Sequence, residues 1–472
     1  MLNPAGHNLW TLPRTGKMLV HGRVYLSEKL KDQLGDDPSL VQLSQAAELP
    51  GVFRHVVGLP DMHSGFGLPI GGVMATDAAD GVVSAGAVGM DINCGVRLLS
   101  TPFLAADLKD GTLARLMESL EARIPSGIGR SSPLAEYRSG RLDAVLCRGS
   151  RAVVEDGYGA EADISHTEEG GCLAGADPEA LPKGALKRIH QLSTLGGGNH
   201  FLEFCVVERI LHPQLAEKFG LSRGTLAIMI HSGSRGLGHQ VCTDYSRIML
   251  SAASRYNVAL PSKGLAAVPI VSAEGQQYLS AMACAVNYAF ANRQLMAHHV
   301  RQVISKVLGA APTEVKQVYD VAHNIAKFEH HFGRRLLIHR KGATRALPPG
   351  HPDNPPEYRH TGHPALIPGS MGTGSYVVSG TGLLSETFFS VNHGAGRVMS
   401  RTEARKKISV SDMAKSLGGV KVNASALGRI LDEAPAAYKD IDEVTAVLAD
   451  LGLTLPVVRL KPLAVIKGEG DE

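Results

Sequence analysis

Several short strings in this chain set a metal-ligating or nucleophilic side chain beside glycine or asparagine. Gly89-Met90-Asp91-Ile92-Asn93-Cys94-Gly95 offers a carboxylate and a thiol three residues apart. A thiolate can bridge two metal ions, and a neighbouring cation lowers its pKa. Gly198-Asn199-His200-Phe201-Leu202-Glu203 follows a run of glycines with an amide, an imidazole and a carboxylate. His231-Ser232-Gly233-Ser234-Arg235-Gly236 follows an apolar run, and Asp320-Val321-Ala322-His323-Asn324 supplies a further imidazole. His393-Gly394-Ala395-Gly396-Arg397 places a histidine just ahead of arginines at 397, 401 and 405. A neutral imidazole there could bind a phosphate or attack one.

Each string alone also has an ordinary reading: a buried cysteine beside a turn, a structural histidine, a solvated basic face. Together, one carboxylate, one thiol and three histidines describe a compact transition-metal site. Their mixed hardness admits Mn, Fe, Zn or Co. The spacing G-x-x-G-x-G after His231 is not the dinucleotide fingerprint, so it gives no Rossmann reading. A basic run, Arg334-Arg335, Arg340-Lys341 and Arg345, offers either a phosphate-binding stripe or a charged surface strand.

The elements that must hold these residues follow from periodicity. Amphipathic spacing predicts helices over 105–124, 238–254 and 272–308. Thr225 to Ile230 reads as a buried strand ending at His231, and 335–339 and 375–379 as further strands. A helix is expected from Ala395 through Arg405, putting Arg397, Arg401 and Arg405 on one face with His393 at its N-terminal mouth. Short helices are expected near 411–417 and 424–433. Residues 126–184, rich in Gly, Ser and acids, and 347–369, rich in Pro and Gly, read as surface loops. Because candidate residues occur in every third of the chain, one site would require a single large domain over 1–472.

Bulk properties narrow the function. The 472 residues carry a net charge of only +3 and 44% apolar residues, which excludes a basic coat or tail protein but not a local RNA-binding stripe. Six scattered cysteines without a C-x-x-C pair suit a reducing compartment. The N-terminus has no signal pattern, and no apolar run is long enough to span a membrane. A cytoplasmic enzyme is expected.

In order, these strings resemble the RtcB family of RNA-splicing ligases. The likeness runs from Pro60-Asp61-Met62-His63-Ser64-Gly65 and Pro69-Ile70-Gly71-Gly72, through the strings above, to His339-Arg340-Lys341-Gly342, Gly369-Ser370-Met371-Gly372-Thr373 and Lys467-Gly468. One departure is Ser84-Ala85-Gly86-Ala87, where the family pattern is Ser-Pro-Gly-Gly; it removes no ligand. The resemblance implies an α+β fold peculiar to the family, with mixed sheets and helices around a metal cleft. It implies two Mn2+ ions bridged by Cys94, with Asp91 and His200 on one and His231 and His323 on the other. His393 would attack the α-phosphorus of GTP to form a histidine–GMP phosphoramidate. Asn199, Glu203, Ser370, Ser375, Lys467, Gly394, Ala395, Gly396, Arg397, His323 and Asn324 would hold the guanylate, and Arg235 and Arg401 RNA phosphates. The guanylate would pass to an RNA 3′-phosphate, and a 5′-hydroxyl would displace GMP. A 2′,3′-cyclic phosphate would first be opened at the same site, and an archease-type activator is implied. The orienting partner of His393 is not evident from the sequence. Two other readings are a binuclear phosphoesterase or 3′-phosphate-capping enzyme, and a non-catalytic RNA-binding paralogue.

Overall fold

The computed structural model describes residues 2–138, 141–423 and 427–470. Apolar and β-branched runs become strands buried on both faces. In Thr225–Ser232, Ala227 and Met229 face one hydrophobic cluster, whereas Leu226, Ile228 and Ile230 face another. That alternation is the two-residue period of a strand with core on either side. Among the described residues this strand belongs to an eight-stranded, almost wholly antiparallel sheet. Its order is Lys316–Ala322, Gly95–Leu104, Thr225–Ser232, Phe201–Ile210, Thr454–Ile466, Ser375–Gly380 and Pro364–Ile367, with Lys421–Val422 running parallel beside Thr454–Ile466.

A second sheet, of seven strands, holds His55–His63, Ile70–Asp77, Arg334–Lys341 and Asn324–His331 in that order, with Asn3–Gly6, Leu9–Leu12 and His21–Tyr25 ahead of them. The two sheets are joined at a single residue. Lys316–Ala322 ends in the first, Asn324–His331 begins in the second, and His323 is the joint.

The helix expected over 272–308 is Ala273–Leu308. Ser272 caps it by accepting from Gly275 N at 3.1 Å, and Gly309, at φ +80°, ends it. Burial on nearly all sides along 281–297 makes this helix an interior strut rather than a surface element. The predicted helix 238–254 is Arg235–Ala252, and 105–124 shortens to Thr112–Glu121 after a 3-10 turn. Arg334–Lys341, Ser375–Gly380 and Val410–Ser416 match their expected strands and helix.

Four expectations change. Residues 126–184 are not a loop: Leu142–Arg148, Ser150–Glu155 and Glu161–Ser165 are helices, and Tyr137, Val145, Leu146 and Val153 are buried against the long helix. Within 347–369, Pro364–Ile367 is an edge strand and Tyr358 is buried. The helix expected from Ala395 begins only at Arg401 and runs to Lys407. Ser400 caps it by accepting from Glu403 N at 3.2 Å, while Gly396, at φ +75°, packs on the backbone of Asp61 and leaves no room for a Cβ. Of the helix expected over 424–433, residues 424–426 lie outside the described residues, and the rest is two 3-10 turns.

Candidate active site

Strand register gathers the candidate ligands. Gly95 pairs with Ser232 and with Ala322, and Phe201 pairs with His231. Cys94 directly precedes Gly95, His200 precedes Phe201, His231 is the last residue but one of its strand and His323 follows Ala322. All four therefore emerge at one end of the eight-stranded sheet. Ile466 pairs with Leu202, which brings Lys467 to the same end.

Two ligand groups result, Asp91–Cys94–His200 and Cys94–His231–His323, sharing the cysteine. Cys94 Sγ lies 3.3 Å from His200 Nε2 and 3.2 Å from His231 Nε2, and His231 Nε2 is 3.4 Å from His323 Nε2. His200 Nε2 is 2.8 Å from Asp91 Oδ2. Two imidazole nitrogens facing each other either share one proton or turn both lone pairs toward a cation. Ligands around a tetrahedral ion at ~2.1 Å (nitrogen) and ~2.3 Å (sulfur) stand about 3.4–3.6 Å apart, close to what is seen. Electrostatics agree. Burial holds His231 and His323 well below the usual imidazole range, leaving them neutral as ligation requires. Burial and the Asp91 charge push the Cys94 thiol well up, so a thiolate there needs a cation. The residues present fit a metal pair.

His393 follows the short strand Ser390–Asn392, which pairs with Ala343–Arg345 beside the seven-stranded sheet. Its ring centroid is 4.8 Å from that of His323. Its orienting partner is Asp61, fully buried in His55–His63. Asp61 Oδ2 is 2.7 Å from His393 Nδ1 and also accepts from the backbone N–H of His393 at 3.0 Å and of Gly394 at 3.3 Å. With Nδ1 bound to a carboxylate, Nε2 is the free nitrogen. The sequence reading missed this role although it quoted the string containing Asp61.

A cavity of about 390 Å³ opens over His231, His323 and His393. Of the residues expected around the guanylate, Asn199, Glu203, Asn324, Ser370, Lys467 and the stretch Gly394 to Arg397 line it. Ser375 does not; its hydroxyl accepts from Gly369 N at 3.0 Å, bracing the 369–373 turn. Burial raises the Glu203 carboxyl to about 8 against the opposing charge of Lys467. Glu433, which no sequence signal marked, receives Lys467 Nζ at 3.3 Å, Arg397 Nη1 at 3.4 Å and Arg401 Nη2 at 3.5 Å. Arg397 also lies 4.9 Å over the Tyr438 ring.

Arg235 is almost wholly buried, with Nε 3.2 Å from Thr194 Oγ1. With Arg401, Asn199 and His239 it lines a smaller cavity of about 80 Å³ beside Asp91 and His200. The basic run is neither a continuous phosphate-binding stripe nor a surface strand, because Arg340, Lys341 and Arg345 are buried and only Arg334 and Arg335 are exposed. Arg340 bonds Glu329 through both terminal nitrogens, and Arg345 pairs with Glu168 at 3.3 Å and Glu169 at 3.0 Å. Lys341 reaches the large cavity, but its ammonium donates to the carbonyls of Phe66 and Gly86.

Comparison with known proteins agrees with this geometry. The family described as tRNA-splicing ligase RtcB matches residues 42–468. A tRNA-splicing ligase RtcB of Thermococcus kodakarensis is 45% identical over 470 residues, 97% of each chain. An RNA-splicing ligase RtcB of Mycobacterium tuberculosis is 45% identical over 437 residues, covering 91% of this chain and all of its own. That of Aeropyrum pernix is 42% identical over 98% of each chain. With a match across nine-tenths of its length, and with its ligand-bearing strings converging on one cleft, the chain belongs to the RtcB family.

Proposed function

We propose that this protein is an RNA ligase that joins RNA 3′-phosphate or 2′,3′-cyclic phosphate ends to 5′-hydroxyl ends, consuming GTP through His393. The observation that carries this reading is an imidazole fixed by a buried carboxylate, facing the cavity beside two ligand groups that share one cysteine.

An RNA 3′-phosphate is a poor electrophile because it lacks a leaving group; capping it with GMP supplies one. His393 Nε2 forms a bond to the α-phosphorus of GTP and pyrophosphate departs. Asp61 keeps the Nδ1 proton in place and offsets the positive charge gained by the ring. A 3′-phosphate oxygen then takes the guanylate, restoring His393. Attack by the 5′-hydroxyl on the RNA phosphorus expels GMP and leaves a 3′–5′ phosphodiester. Asp91, Cys94 and His200 would hold one Mn2+, and Cys94, His231 and His323 another; bound there, the ions would neutralise charge on phosphates and pyrophosphate. Glu203 and Lys467 suit the guanine edge. Arg235, Arg401 and Asn199, around the small cavity, suit an RNA terminal phosphate. Phe66, exposed at the rim of the large cavity, offers a face for a base. Six free cysteines suit a cytoplasmic setting, and among the described residues no helix is long and apolar enough to cross a membrane. An archease-type activator completes the expected partners.

Incubation with α-labelled GTP and Mn2+ should yield an acid-labile protein label that is lost in His393→Ala. An RNA with 2′,3′-cyclic phosphate and 5′-hydroxyl ends should be sealed only when both GTP and Mn2+ are supplied. RNA end hydrolysis with no protein label under any divalent metal would instead indicate a phosphoesterase.

A further inference from the structure

We propose that Arg293, a buried residue of the long helix that lines neither cavity, positions the Cys94-centred ligand set and thereby sets its metal affinity. This rests on the reading of those residues as metal ligands.

The guanidinium has five N–H donors in a rigid plane, and each one meets an acceptor. Nε reaches Asp320 Oδ1 and Oδ2, both at 3.0 Å. Nη1 donates to Asn93 O and Ser232 O, both at 2.8 Å. Nη2 donates to Asn93 Oδ1 at 3.1 Å and Asp320 Oδ1 at 2.8 Å. These acceptors are not arbitrary. Asn93 precedes Cys94, Ser232 follows His231, and Asp320 stands three residues before His323. One planar group thus pins the three segments that carry the Cys94–His231–His323 group. The neighbouring Asn292 extends the tie, its amide donating to Gly233 O and Thr194 O, both at 3.2 Å, on the approach to His200.

Two further features fit this role. Asn93 is held at φ +52°, a conformation that β-branched and bulky residues avoid, and its own amide donates to Val286 O on the same helix at 2.7 Å. Gly95, next to Cys94, lets the guanidinium in: a Cβ there would stand 3.0 Å from Arg293 Cζ and 2.6 Å from Val321 O. The absent side chain beside the cysteine thus serves both the strand pairing and this arginine, while Asn93 on the other side keeps its carbonyl and its amide oxygen on the guanidinium. Lysine would keep the charge but lose the fork. Three radiating donors cannot bridge two carbonyls, an amide oxygen and a carboxylate.

Groups that hold metal ligands from behind typically change metal affinity by about 10- to 100-fold when altered. The test is Co2+ titration of the purified protein, without nucleotide or RNA, read by thiolate-to-cobalt absorption, with Mn2+ calorimetry in parallel. Arg293→Lys should weaken binding about tenfold or more and shift the charge-transfer band. Arg301→Lys is the control for loss of a buried arginine. It lies further along the same helix, pairs with Asp163 at 2.6 and 2.7 Å and donates to Val315 O at 2.9 Å, touching none of the residues that flank Cys94, His231 or His323. It should lower the melting temperature yet leave affinity and spectrum unchanged. Should Arg293→Lys not fold, Asn93→Gly keeps the backbone conformation, removes one acceptor of the fork, and should weaken Co2+ binding in the same direction. Wild-type affinity in whichever of these two variants folds, or an equal loss in Arg301→Lys, overturns the proposal. Absence of metal binding by the unaltered protein would instead defeat the reading of the site itself.

Discussion

Asp61 and His393 are 332 residues apart in the chain and 2.7 Å apart in space. Asp61→Asn keeps an oxygen for the Nδ1 proton but removes the charge that stabilises the ring once phosphorus is bound. The rate of protein guanylylation by α-labelled GTP should fall by about 10²- to 10⁴-fold, as when the aspartate of a catalytic triad is neutralised. Glu203 gives a pH signature. Its folded value of about 8 exceeds the ~4.3 of an unfolded chain, so the stability difference runs against the usual acid. The folded state binds the extra proton between those values and loses stability as pH rises through that window. Guanine presents N–H donors that favour the carboxylate form, so nucleotide binding should release a proton below pH 8. GTP affinity should then rise by up to about tenfold per pH unit toward 8 and flatten above it. Calorimetry in buffers of different ionisation heat checks this, and Glu203→Gln should abolish the slope. The sequence marked the candidate ligands and His393 because each sits in a compact string beside glycine or asparagine. It could not show Asp61 as a partner, or Glu433 at all, because those roles exist only through contacts between distant segments.

The misread elements share one cause: charge was taken as a sign of solvent. Acids in 126–184 suggested a surface loop, and cations in 334–345 a phosphate stripe or a charged surface strand. Several of these charges are instead paired inside the protein. Glu168 and Glu169 meet Lys327 and Arg345, and Asp163 meets Arg301, all inside the protein. Glu168 Oε2 also accepts from Ala322 N at 2.8 Å, so the acidic segment braces the strand end that delivers His323. The helix expected from Ala395, with arginines 397, 401 and 405 on one face, starts later. The true start was legible in Ser400 and Glu403, a serine followed three residues later by glutamate. Strands were read more reliably, since Thr225–Ser232 is buried by apolar residues alone. At this scale Gly95→Ala is the sharpest probe of how elements set the site. Its Cβ would meet Val321 O at 2.6 Å, across the pairing of Gly95–Leu104 with Lys316–Ala322. Such overpacking costs about 1–3 kcal/mol. Thermal or urea unfolding of the metal-free protein should register that loss, and Co2+ binding should weaken with it.

The proposed ligands come from residues 91, 94, 200, 231 and 323, so metal binding there would tie together three separated stretches and the joint between both sheets. Binding to the folded state alone raises its stability by RT ln(1 + [M]/Kd), about 2.7 kcal/mol for each site at a hundredfold excess over Kd. The melting temperature should therefore fall on chelation and recover in two increments as Mn2+ is returned. The variants separate those increments. His200→Ala leaves Cys94, His231 and His323 in place and should retain one site by calorimetry, with about half the thermal gain. His323→Ala should do the converse through Asp91, Cys94 and His200. Cys94→Ala takes the atom common to both groups and should lose both sites and the whole metal-dependent shift. If Cys94→Ala kept one full-strength site while His200→Ala and His323→Ala each kept one, the thiol would not be shared. The two ligand groups would then be independent, and one of the 3.2 and 3.3 Å contacts of its sulfur would be packing rather than coordination geometry.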